Sequence, residues 1–152
     1  MAPSVNNSIL LVEDEALDLE LTLIVLKRAR MDGHLIVVRD GQEALDYLFS
    51  HKRFAGREPG NPSLVILDLK TPSLSGFQIL EAIRSCETLL DIPVVVLTNS
   101  RDPAAKQKAH EMNVSAFIVK PLALGDYVDA VARLSDLRSA NELPSKPQAE
   151  PH

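Results

Sequence analysis

Aliphatic residues cluster into short uninterrupted runs along this chain: Ile9-Leu10-Leu11-Val12, Leu35-Ile36-Val37-Val38, Leu64-Val65-Ile66-Leu67, Ile92 to Leu97 around Pro93, and Ala116-Phe117-Ile118-Val119. None of them alternates apolar with polar, which suits strands covered on both faces, as in a parallel sheet. The stretches between them carry apolar residues at helical spacing. From Ala16 to Arg30, Leu17, Leu21, Ile24 and Val25 form a stripe with Leu19, Leu23 and Leu26 beside it. That surface is broad enough to pack on a sheet and to meet something else as well. Lys27, Arg28 and Arg30 suit the negative end of the helix dipole, and Gly33 follows as a stop.

Caps and turns set the other boundaries. Asp40-Gly41-Gln42-Glu43 offers a capping acceptor with Glu three residues on, and the short helix behind it is expected to bury Ala44, Leu45, Leu48 and Phe49. Ser75-Gly76-Phe77-Gln78 matches a capping box, opening a helix that buries Phe77, Ile79, Leu80 and Ile83. Asp102-Pro103 pairs an acceptor with proline at the first helical position, before a short polar helix through Lys106, Lys108 and Glu111. A last helix carries Leu124, Tyr127, Val128, Val131 and Leu134 and ends near Arg138. His51 to Ser63 holds two Pro and two Gly and reads as an irregular surface loop, longer than the usual connection. Residues 1–7 and 139–152 are poor in apolar groups and expected to be disordered, which leaves one domain over 8–138. Strand and helix alternate five times, so the expected fold is an α/β three-layer sandwich around a parallel sheet.

Composition narrows the function classes. With 152 residues, 45% of them hydrophobic, one domain can bury a real core. A net charge of −5 excludes a nucleic-acid binder that works through a basic surface. The lone Cys86 argues against a disulfide-stapled secreted protein and fits a reducing cytosol. No apolar run reaches membrane-spanning length, and the polar start is too short for a signal peptide. His34, His51, His110 and His152 lack metal-ligand spacing. The expectation is a cytoplasmic protein with neither nucleic acid nor membrane as partner.

The chemistry lies in what ends the runs. The first stops at Glu13 and Asp14, the third at Asp68, the fourth at Thr98, and the fifth at Lys120-Pro121. In a parallel sheet these ends share the carboxyl edge, where open α/β sheets keep their sites. Three carboxylates about 5 Å apart would repel by roughly 3 kcal/mol per pair at an effective dielectric near 20. Such a cluster wants a cation, and an all-oxygen donor set suits Mg²⁺, which keeps waters and takes a phosphate as co-ligand. Lys120 and Thr98 would give that phosphate a charge and a hydrogen bond. Singly, each has a plainer meaning: Glu13-Asp14-Glu15 an acidic helix start, Thr98 a cap, Lys120 a solvated charge, Phe117 a core residue. Their agreement in position carries the reading.

In order and placement, Glu13-Asp14, Asp68, Pro72 with Gly76, Thr98 and Lys120-Pro121 resemble a response-regulator receiver domain, over Ile9 to Arg138. The resemblance implies a doubly wound, flavodoxin-like (βα)₅ fold with strand order 2-1-3-4-5. It implies that Asp68 is the phosphoacceptor, taking a phosphoryl group from a phosphohistidine on a sensor histidine kinase. Asp14 and Asp68 would ligate Mg²⁺, with the backbone carbonyl of Lys70 as a third protein ligand and Glu13 acting through water. Lys120 would neutralise the phosphoryl oxygens, and Thr98 would bond one of them once Asp68 is modified. Phe117 falls at the family's switch-aromatic position, without a hydroxyl, and the bond to Pro121 is expected to be cis. The chain would then catalyse only its own phosphorylation and dephosphorylation.

Two positions depart from the family's pattern. Glu13 stands where Asp is frequent, and Lys70 stands where neutral side chains are common, on the approach of an attacking water. The long His51–Ser63 loop and Leu69 resemble stand-alone regulators paired with bacterial and cyanobacterial phytochrome kinases. That resemblance implies a homodimer through the face of the last helices and, with no output domain expected after Arg138, an unidentified downstream protein. A chemotaxis-type receiver acting on a motor or kinase is the alternative within the family. Outside it stand a haloacid-dehalogenase-type phosphatase, which wants a second Asp where Lys70 sits, and an unphosphorylated scaffold, which would lack the acceptor or the lysine.

Overall fold

A computed structural model of the chain describes residues 4–28, 30 and 34–120. Strands β1 (Ile9–Val12), β2 (Leu35–Val38), β3 (Leu64–Asp68), β4 (Val94–Thr98) and β5 (Ala116–Val119) run parallel in the order β2-β1-β3-β4-β5. Successive side chains point to opposite faces of a strand, so each aliphatic run divides between two cores. On one face Ile9, Leu11, Leu64, Ile66, Val95 and Leu97 pack with Val25 and Leu26 of α1 (Ala16–Arg28). On the other, Leu10, Val12, Val65, Leu67 and Val94 meet α2 (Gly41–Leu48) and α3 (Gly76–Ser85) through Ala44, Tyr47, Leu48, Ile79, Leu80 and Ile83. Burial on both sides is the physical reason the runs show no alternation. A fourth helix, α4 (Pro103–Glu111), precedes β5.

The caps form as the sequence predicts. Asp40 accepts from the Glu43 amide at 2.8 Å, the Ser75–Gln78 capping box closes in both directions, and Asp102 accepts from the Ala104 amide at 2.9 Å. Several boundaries differ. Strand β4 starts at Val94 rather than Ile92, since Pro93 has no amide to pair and offers only its carbonyl, to Val65 at 3.0 Å. Helix α1 stops at Arg28, and Arg30 takes a positive φ. Leu17 (74% exposed) and Ile24 (46%) stand off the sheet, so the buried part of that helix is narrower than its stripe. Phe49 caps α2 from outside and stacks on His51.

The stretch from His51 to Ser63 is not loose. It holds a single 3₁₀ turn at Lys52–Phe54, and Arg57 lies over the Tyr47 ring, its guanidinium carbon 4.2 Å from the centroid. The Arg57 guanidinium donates to the Tyr47 carbonyl at 2.7 Å and the Gly60 carbonyl at 2.9 Å. Val5 pairs with Asn61, and the buried Asn6 donates to the Gly60 carbonyl at 3.0 Å, so these two residues, expected among the disordered ones, are held by the loop they face. The last helix, Pro121 with its bond to Lys120, and the tail 139–152 lie outside the described residues. Among the described residues no helix is long and apolar enough to cross a membrane.

Candidate functional site

Strand register brings the chemistry to one edge. Val12 pairs with Leu67, Asp68 with Leu97, and Thr98 with Val119, so Glu13, Asp68, Thr98 and Lys120 fall at the carboxyl ends of adjacent strands. Glu13, Asp68, Thr98 and Lys120 are all buried, while Asp14 and Lys70 are exposed. Glu13, Asp14 and Asp68 each bring a carboxylate oxygen within 4.8 Å of the other two. This is the cluster the sequence predicts.

Lys120 lies against Glu13 and Asp68 of this cluster, with a side chain only 1% exposed. Its Nζ donates to Glu13 Oε1 at 3.0 Å, to Asp68 Oδ2 at 3.1 Å and to Asp18 Oδ2 at 2.7 Å. The other oxygen of Asp68, Oδ1, accepts from the Lys70 amide at 3.0 Å, and Glu13 Oε2 accepts from the Glu15 amide at 3.3 Å. Thr98 Oγ1 accepts from the Ser100 amide at 3.0 Å, and the Lys120 amide donates to the Thr98 carbonyl at 2.6 Å. Phe117, half-buried, pairs in register with Val96, two residues before Thr98.

Burial and the adjoining Asp68 push the Glu13 carboxyl up to about 7, against the opposing pull of Lys120. For Lys120 burial works toward a lower value, yet the bonds from Asp18 and Glu13 and the charge of Asp68 outweigh it, and the ammonium is held above its ordinary range. Three crowded carboxylates with only one buried ammonium among them are a donor set for a hard divalent cation. The residues fit the metal.

Two members of the site escaped the sequence reading. Asp18, in the first turn of α1, carries no local signal of its role, since only the fold brings it to Lys120. Arg39, directly after β2, donates through Nη2 to the backbone carbonyl of Asp14 at 2.9 Å and steadies that corner.

Residues 9–132 match the family model of the response regulator receiver domain. The chain belongs to the response regulator receiver family. Among curated relatives of this receiver, response regulator Rcp1 of Synechocystis sp. is 36% identical over 118 residues, 78% of this chain and 79% of the relative. Among solved structures, the bacteriophytochrome response regulator RtBRR is 46% identical with a TM-score of 0.76, covering 84% of this chain and 77% of its own. The Mn(2+)-bound form of Rcp1 aligns at 29% identity and a TM-score of 0.73, over 97% of this chain and all of that one (100%). The receiver is a signalling protein, and its relatives include response regulators of phytochromes.

Proposed function

We propose that the receiver takes a phosphoryl group onto Asp68 from a phosphohistidine of a sensor histidine kinase. The observation that carries this is the buried Lys120 ammonium 3.1 Å from Asp68 Oδ2, beside the Glu13–Asp14–Asp68 cluster. A carboxylate oxygen of Asp68 attacks phosphorus, the P–O bond forms as the P–N bond breaks, and the departing imidazole takes a proton from water. Lys120 meets charge on the transferring oxygens, which is most of the work in a loose phosphoryl-transfer step. Asp14, Asp68 and the Lys70 carbonyl, with Glu13 through water, would hold a Mg²⁺ that would supply further positive charge there. The Thr98 hydroxyl donates to a phosphoryl oxygen afterwards, and Phe117 packs behind it to change the outer surface. The exposed Lys70 covers the approach of the hydrolytic water and sets the lifetime of the modified state.

The likeness to the bacteriophytochrome response regulator RtBRR supports a kinase of the phytochrome type as donor, and the exchange is placed in the cytoplasm as part of this proposal. The signal then passes to a downstream protein, and two copies pair through the face of the last helices. Acetyl phosphate with Mg²⁺ is expected to add one phosphoryl group by intact mass, and Asp68→Asn to take none. Unmodified wild-type protein under these conditions overturns the reading. A panel of sensor kinases tests the donor, equal decay of phosphorylated wild type and Lys70→Asn removes the role of Lys70, and sedimentation tests the dimer.

A further inference from the structure

An ammonium has three N–H groups, and in this receiver carboxylates take all three of those on Lys120. A phosphoryl oxygen can therefore bond Lys120 only by displacing one of them. Glu13 and Asp68 belong to the carboxylate cluster, so a divalent cation would draw on their charge and loosen their hold. Asp18 is outside that cluster. Its oxygen makes the shortest of the three contacts, at 2.7 Å, and among the described residues Lys120 is the sole partner of its carboxylate. Being 26% exposed, it is also the member of the trio that water can resolvate when the bond opens.

Resting on the phosphoacceptor reading above, we infer that Asp18 is a positioning residue that competes with the phosphoryl group for Lys120. It holds the ammonium toward α1 in the resting state and yields it when Asp68 is modified. The strength of this one contact then sets how readily the modified state forms. A plain helix-start carboxylate would stabilise α1 through the dipole and leave phosphoryl affinity untouched.

Beryllofluoride at saturating Mg²⁺ stands in for the phosphoryl group, and calorimetric titration reads its affinity. Asp18→Asn is expected to bind it about tenfold tighter than wild type, the size of one charge-assisted hydrogen bond no longer displaced. Asp18→Glu, which keeps the charge, is expected to return toward wild type, and thermal melting checks that both variants fold. Equal or weaker binding by folded Asp18→Asn overturns the inference, while acetyl phosphate labelling of wild type still stands. Wild type that binds no beryllofluoride and gains no phosphoryl group overturns the phosphoacceptor reading itself, and this inference with it.

Discussion

Gly76 lies hard against the backbone of Asp68, so close that a Cβ on it would stand 2.6 Å from the Asp68 carbonyl oxygen and 2.6 Å from Leu69 Cα. Its amide donates back to the Leu69 carbonyl at 2.8 Å, folding the turn after β3 onto the strand end. Helix α3 thus starts against the backbone that carries Asp68.

Gly76→Ala should therefore act on both stability and chemistry. The added methyl meets backbone rather than a movable side chain, and overpacking of this kind costs about 2 kcal/mol. Urea denaturation measures the loss, and slower acetyl phosphate labelling of Asp68 accompanies it as the turn shifts.

Removing the buried cation gives a second outcome. In metal-free Lys120→Ala, Glu13 and Asp68 face each other without their shared partner, which costs about 3 kcal/mol. Mg²⁺ then meets no competing ammonium at those oxygens, and its affinity is expected to rise by roughly tenfold. Calorimetric titration with Mg²⁺ checks the second point, and melts with and without the metal check the first.

Arg57 offers a contrast, because it touches nothing in the cleft. It covers the Tyr47 ring and bonds the carbonyls of Tyr47, Leu48 and Gly60, so Arg57→Ala is expected to lower stability by about 2 kcal/mol. Arg57→Lys recovers little of this, since an ammonium cannot reproduce the planar fork. Beryllofluoride affinity stays at the wild-type value in both.

Helix α1 supplies a fourth comparison. Leu26 is fully buried, and Leu26→Ala is expected to cost about 3 kcal/mol. Leu17, 74% exposed on the same helix, changes stability by no more than about 0.5 kcal/mol when replaced by Ser. Denaturant midpoints of the two variants separate the packed side of the helix from the wet one.

The strands were readable because burial on both faces leaves an unmistakable mark, and Asp68, Glu13, Thr98 and Lys120 were readable because each follows such a run at once. Asp40, Ser75 and Asp102 announced their helices through residue type together with a partner at fixed spacing, Glu43, Gln78 and Pro103. The misses have a common cause. Apolar residues spread so widely around α1 that their spacing leaves open which of them face the sheet, so Leu17 and Ile24 were indistinguishable from Val25. Asp18 reaches Lys120 only through a pairing that spans 102 residues of sequence, which no local pattern encodes. Arg57 likewise finds its ring and carbonyls through tertiary packing, in a segment whose Pro and Gly content pointed merely to a loop.

That segment has a practical bearing on chimeras. Arg57 roofs Tyr47, whose hydroxyl meets Ser8 Oγ at 2.8 Å; Asn6 ties to Gly60; Asn61 donates to the Thr88 carbonyl at 2.7 Å. Trimming it would strip the lid from an aromatic side chain and unmoor the leading strand's approach at the same stroke. A graft that respects the architecture must transplant Asn6, Tyr47, Arg57 and Asn61 as one cassette.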